Sequence, residues 1–287
     1  MVNAMFEKGR EGFLDGTLDW DTQTFSAALL DLSTAATTDA GIKQISSSTN
    51  ATPIVVTTSS AHGFTNGDLV FIDGHTTNTA ANGLWLITAA SGSVFSLTRP
   101  DGVNTTGNGV GGATGYCVNY GPSTSGDNWD DFDVALVGAK VNLGSPTVIN
   151  GVADAADTTF TSVTGNSVEA VAIFRDTGTP SSSRMVCLIT GKFIVTCNTT
   201  TTGTTIPVEP LAYAIPNGTA LVFSNGVTGT LTALANAGDR SITISSATIT
   251  AGTRALAPIT SSGLPVTPNG GNIVVAYDNG ANKIFKL

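Results

Sequence analysis

Charge is the first thing this sequence lacks. Only 11% of its 287 residues are Asp, Glu, Lys or Arg, against roughly 25% in ordinary soluble domains. A surface short of ionised groups must be built from neutral Ser, Thr, Asn and Gly. Such a surface has little like-charge repulsion and suits a protein packed against neighbours. The charges present are unbalanced, 12 basic against 21 acidic for a net −9. That sign repels phosphate backbones, so no nucleic-acid groove is expected. Histidine is scarcer still: His62 and His75 are the whole supply, too few for a three-histidine zinc site. Neither G-x-S-x-G nor H-E-x-x-H occurs, and no enzyme activity is expected. Cys117, Cys187 and Cys197 are odd in number and far apart. They give no disulfide framework and no metal-ligand spacing, and buried free thiols are expected. No apolar run approaches the ~20 residues of a membrane span, so no membrane contact is expected. Glu7, Lys8, Arg10 and Glu11 interrupt the start of the chain, so no secretory leader is expected there. No cofactor is implied.

What is present is a β pattern. Met5, Phe6, Phe13 and Leu14 fall close to one helical face and Gly16 sits at a helix stop, predicting one short amphipathic helix at the start. Beyond Thr17 the chain turns to short β-rich runs cut by Gly, Asn, Asp and Pro every eight to twelve residues, the signature of sandwiches or barrels. Examples are TFSAALLDL (24–32), TPIVVTT (52–58), FDVALVG (132–138), EAVAIFR (169–175), RSITISS (240–246) and NIVVAYD (272–278). GVNTTGNGVGGATG (102–115) and CNTTTTGTTIP (197–207) have too few apolar anchors to pack and read as long loops or boundaries. At the C-terminus, Pro-Asn-Gly-Gly, a strand alternating Ile273, Val275 and Tyr277, an Asp-Asn-Gly turn at 278–280 and a last strand with Ile284, Phe285 and Leu287 read as a hairpin.

Four features invite a chemical reading. GNGVGG (107–112) matches the dinucleotide fingerprint in letters alone, because no helix pattern follows it. Asp127, Asp130, Asp131 and Asp133 crowd carboxylates around Trp129, but the spacing is not that of a calcium loop, and a solvated acidic turn is favoured. His62 in AHGF is expected to order a turn through a backbone hydrogen bond. Trp20, Trp85 and Trp129 could form a sugar-stacking surface, though tryptophans flanked by strand patterns are more often core or interface anchors.

Four blocks carry a family resemblance: KGREGFLDGTLDWDTQTF (8–25), GVADAADTTFTSVTG (151–165), EAVAIFRDTGTPSSSR (169–184) and LPVTPNGGNIVVAYDNGANKIFKL (264–287). Together they resemble a family of tailed-phage virion proteins, of the capsid decoration or cement type. Two further segments interrupt them. SAHGFTNGDLVFIDGHTTNTAANGLWLITAASGSVFSLT (60–98) resembles a small β module of phage tail and head proteins. IPVEPLAYAIPNGTALVFSNGVTGTLTALANAGDRSITISS (206–246) is similar to β-clip-like units of head decoration proteins.

The expected fold is therefore all-β: a β-sandwich or barrel-like core with a short N-terminal helix and inserted small β lobes. The core is expected from residues 1–45, 116–190 and 259–287, with an inserted module at 46–115 and a β-clip-like module at 191–258. The resemblance implies a capsid protein bound to the outer shell, with the major capsid protein as partner, a homotrimer as the assembly, and the virion surface as location after assembly in the host cytoplasm. The alternative it leaves open is a tail or tail-fibre component contacting other tail proteins or host surface glycans. A third class is a secreted glycan hydrolase on a β scaffold. Candidate interface residues are Phe6, Phe13, Leu14, Trp20 and Trp129.

Overall fold

The computed structural model describes residues 5–33, 41–122, 126–277 and 283–286. The protein is all-β with a single short α-helix, Glu7–Leu14, and four 3-10 turns among the described residues. It divides into two compact units. One is built from the described residues within Asn3–Ile42, Tyr120–Thr190 and Leu264–Leu287; the other comprises Lys43–Asn119 and Gly191–Gly263. The two segments expected as separate inserts thus belong to one compact unit.

The first unit is organised on an antiparallel four-stranded sheet in the order Met185–Thr190, Ala170–Arg175, Phe25–Leu30, Leu136–Asn142. Phe25–Leu30 (FSAALL) is buried at all six positions. Phe25, Ala27 and Leu29 join a core with Trp20, Val171, Ile173 and Phe285, and the alternate residues Ser26, Ala28 and Leu30 are equally enclosed. The polar Ser26 hydroxyl is satisfied by Asn142 Oδ1 (2.7 Å) and Asp176 Oδ2 (2.9 Å), as burial of a polar group requires. FDVALVG does not begin as a strand: Asp133–Ala135 form a 3-10 turn and pairing starts at Leu136.

The helix departs from the expected apolar stripe. Its buried residues are Gly9 and Gly12, and a Cβ at Gly9 would lie 2.8 Å from the Met185 carbonyl oxygen and 2.9 Å from Val186 Cα. Backbone therefore lies against backbone. The apolar anchors flank this contact: Phe6, just before the helix, is buried and donates its N–H to Val186 O (2.9 Å), and Phe13 packs against the main core. Leu14 points to solvent, 85% exposed.

The C-terminal hairpin is also corrected. Ile273–Val275 pairs with Thr158–Phe160, and Phe285–Lys286 pairs with Val152–Ala153. Each strand finds its partner in the 144–160 region rather than in the other. The expected turn at 278–280 lies outside the described residues.

In the second unit, six strands close a barrel in the order Ile42–Ser48, Val55–Thr58, Val94–Thr98, Gly83–Ser91, Leu69–Asp73, Tyr116–Asn119. Alternate side chains such as Val56, Val70, Trp85, Ile87, Phe95 and Leu97 fill it, as expected for a small closed barrel. Residues 191–263 hold a separate core around Phe193, Leu221, Phe223 and Ile244. Its strands are Lys192–Thr196 with Arg254–Pro258, Thr201–Pro207 with Ser241–Ile249, and Ala220–Val222 with Thr228–Thr230. The Thr-rich run expected as a loop is thus a strand, because β-branched threonines suit a pleated, half-exposed surface. The 102–115 stretch is a loop, but a pinned one. Thr105 is fully buried and donates to Ser224 O (2.9 Å), Thr106 N–H bonds Ser224 O (3.2 Å), and Arg99 pairs with Asp101 and reaches Ala251 O (3.2 Å).

Gly9→Ala tests the backbone-to-backbone seat of the helix. In an exposed helix that change adds about 1 kcal/mol of stability; here crowding against residues 185 and 186 should instead destabilise the protein by about 1–3 kcal/mol. Urea unfolding of the two proteins gives the sign.

Candidate functional site

The first unit carries an open apolar notch. The helix ends at Leu14, Gly16 turns the chain with φ +75°, and Asp15 Oδ1 accepts the Thr17 N–H (2.9 Å) and hydroxyl (2.6 Å). Leu18 N–H returns to Gly12 O (2.8 Å) and Gln23 N–H to Asp19 O (3.1 Å), so Leu18–Trp20 is held as a wrapped segment. The Trp20 indole N–H donates to Asp154 O (2.9 Å). This fixes the ring against a hairpin made by Gly144–Ile149 and Val152–Ala156. The hairpin turns at Asn150 (φ +53°) and Gly151 (φ +75°), the left-handed pair that a tight Asn-Gly hairpin turn requires.

The notch has a volume of about 310 Å³ and is floored by Phe13, Trp20 and Phe285, walled by Val148 and Ala153, and lipped by Asp19. The three rings touch one another: Trp20 to Phe285 at 5.0 Å edge-on, Phe13 to Phe285 at 5.5 Å and Phe13 to Trp20 at 6.5 Å between centroids. At the hairpin tip Val148 and Ile149 are 49% and 66% exposed. Gly144–Ile149 is an edge strand, with Pro146 among its residues. Asp19 is held below the usual carboxylate range by hydrogen bonds from Thr22 and Asp21, while Asp21 is raised by its contact with Asp19. Neither makes an ion pair with a described residue.

Of the candidate interface residues, Phe13 and Trp20 meet at this notch and Leu14 is exposed in a shallow neighbouring groove with Glu7, Arg10, Glu11 and Asp15. Phe6 and Trp129 are interior instead. Phe6 packs on Tyr120 and Phe132, and Trp129 stacks on Phe174 at 4.3 Å with planes 5° apart. Trp85 is also buried, so no tryptophan presents a free face for sugar stacking. Val148, Ile149, Asp19 and Phe285 were not singled out by sequence; Asn150-Gly151 between two β-rich runs was the signal for the hairpin.

The remaining chemical candidates resolve into structure. His62 Nδ1 accepts the Phe64 N–H (2.9 Å), the turn-ordering role expected of it, and its Nε2 faces Val94 O (3.2 Å). His75 meets a serine distant in sequence: its Nε2 lies 2.7 Å from Ser48 Oγ, and its Nδ1 3.0 Å from Thr114 Oγ1. His75 and Ser48 are both buried, Ser48 Oγ also accepts from Asn78 Nδ2 (2.9 Å), and among the described residues no carboxylate hydrogen-bonds the ring. A nucleophile needs an oriented base and access; this enclosed pair has neither. In GNGVGG the N–H groups of Gly107, Asn108, Gly111 and Gly112 already bond Ala51 O, Asn78 Oδ1, Ser48 O and Thr77 Oγ1, leaving no nest of four donors for a phosphate. The carboxylates near Trp129 do not converge: Asp131 Oδ2 accepts from Gly126 and Asn128 N–H (3.0 and 3.3 Å), while burial raises Asp127 to about 6. Among the described residues no group of three or more His, Cys, Asp or Glu could hold a metal. The three cysteines are free and buried, their thiols pushed up to about 12, 12 and 11 by burial.

Burial lowers both imidazoles from their ordinary ~6.5. A depressed folded-state value means stability that is complete above ~6.5 and lost as pH falls through the lowered values. Proton NMR of the two histidine rings should give both midpoints below 6.5, with unfolding resistance declining over the same interval. A midpoint at or above 6.5 for either ring would contradict its enclosure. Comparison with protein-family models, with curated proteins and with solved structures finds no match to this chain.

Proposed function

We propose that this protein is a structural component of a tailed-bacteriophage particle, a capsid decoration or cement protein that binds the outer shell and stabilises contacts between capsomers. The observation that carries the reading is the apolar, partly open face of the first unit. There Val148 and Ile149 project beside a notch floored by three aromatic rings, in a protein otherwise poor in charge. Apolar side chains rimmed by polar surface are the usual mark of a protein contact. The four sequence blocks that resemble tailed-phage virion proteins supply the biological setting. Burial of all three tryptophans favours a shell contact over a glycan-binding fibre, because sugar stacking needs an exposed aromatic face.

The partner is the major capsid protein and the assembly a homotrimer on the virion surface, put together in the host cytoplasm. A trimer touches several capsomers at once, so each weak contact forms at the high effective concentration set by the others. No helix among the described residues is long and apolar enough to cross a membrane, and the net −9 disfavours a DNA contact.

Adding purified protein to expanded capsids that lack it tests this directly. Electron microscopy should show density at threefold or quasi-threefold positions, with rupture delayed on heating. Binding confined to tails, or no binding, would refute the proposal.

A further inference from the structure

The notch has a specific electrostatic character. Its floor is aromatic, and Phe13 is the least enclosed of the three rings. At its lip stands Asp19, in contact with Asp21, and no described basic side chain pairs with either. Asp15, next to the notch on the chain, is likewise held ionised by its Thr17 hydrogen bonds. Of the nearby described cations, Lys283 pairs with Asp154, Lys8 pairs with Glu11, Arg184 donates to Thr17 Oγ1 (3.2 Å) and acts on Asp15, and Arg10 lies with Asp15 in the neighbouring groove. The apolar socket thus lies beside two carboxylates, Asp19 and Asp21, that have no ion-pair partner among the described residues.

We infer that the notch formed by Phe13, Trp20, Phe285, Val148 and Asp19 is a socket for an arginine side chain of a partner protein. Trp20 and Phe285 are buried, so the partly exposed ring of Phe13 supplies the face; a guanidinium plane stacks there while its fork of donors meets a carboxylate, and its weak hydration lets it enter a half-enclosed site. Lysine satisfies the charge but not the stacking. At about 310 Å³ the cavity lies at the low end of the ~300–1,000 Å³ of small-molecule sites, a size for one side chain. A second copy of this chain is the weaker occupant. The helix and the segment after it carry Glu7, Glu11, Asp15, Asp19 and Asp21 against Lys8 and Arg10, so a twofold pairing of this face with itself would oppose like charge. The identity of that partner rests on the shell-binding reading; the preference for arginine does not.

Two measurements separate these layers. The first is NMR titration of the full-length protein with Nα-acetyl-arginine amide, using the neutral isostere Nα-acetyl-citrulline amide as control. The arginine compound should shift the Gly16 and Gly151 amides and the Trp20 indole N–H, and citrulline should not. The double variant Asp19→Asn, Asp21→Asn keeps its acceptors on an exposed segment and so keeps the fold; it should bind arginine amide roughly threefold more weakly or worse, the scale of an exposed ion pair. Equal response to citrulline, or shifts confined to other surfaces, overturns the socket. The second is co-sedimentation of wild type and double variant with expanded capsids. Weaker binding of the variant supports the socket as a shell contact. Equal binding overturns the socket as a shell contact and leaves the shell reading standing. If wild type does not bind, the shell reading falls, while the arginine titration still decides the socket.

Discussion

A strand with no solvent face governs the first unit. Phe25–Leu30 is enclosed on both sides, so each of its peptide groups must find a partner in a neighbouring strand rather than in water. Ala170–Arg175 and Leu136–Asn142 supply those partners, and their own apolar residues then need covering. The layers follow from that requirement. Trp20, Phe285 and the 144–156 hairpin close one side, and the helix closes another edge through Gly9. The notch is what remains where three aromatic rings meet the rim of this covering, which is why the same residues that seal the core also form the candidate contact.

The second unit solves the edge problem differently. Its barrel leaves no unpaired strand among its six, since closure removes edges altogether. The same unit holds a small polar cluster outside the barrel's apolar core. His75, Ser48, Asn78 and Thr114 are joined through neutral donors and acceptors, an arrangement that is stable when every member is satisfied. A serine beside an imidazole is here a packing solution.

Strand content was legible because alternation and Gly or Asn punctuation are local signals; FSAALL, EAVAIFR and RSITISS all became strands. The helix was legible as an element but not in its orientation. A periodic count of Phe and Leu expects apolar side chains to face the sheet; Phe13 does reach the core, but the contact with the strand backbone is made by Gly9, and close approach is invisible until the opposing backbone is known. Pairing at the C-terminus failed for a related reason: two strands joined by a turn look like a hairpin unless distant partners compete. The threonine run at 201–207 is a strand although it has few apolar anchors, because β-branched side chains suit a pleated surface. At the notch, Phe13 and Trp20 could be named and Phe285 placed on a strand, but not their meeting, because it depends on contacts distant in sequence such as that of Trp20 with the Asp154 carbonyl, 134 residues away.

The pinned loop between Arg99 and Gly107 has a consequence for solvent conditions. Thr105, Thr106 and Ser224 are joined by neutral hydrogen bonds, and the one ion pair of the joint sets a buried Arg99 against a half-exposed Asp101. Raising ionic strength from 0.01 to 1 M shortens the screening length from about 30 Å to about 3 Å. Long-range attraction between surface charges vanishes over that range, but contacts of hydrogen-bond length in a buried setting do not. The neutral hydrogen bonds of the joint are accordingly indifferent to brine, and a chain with so few charges has little else for salt to weaken.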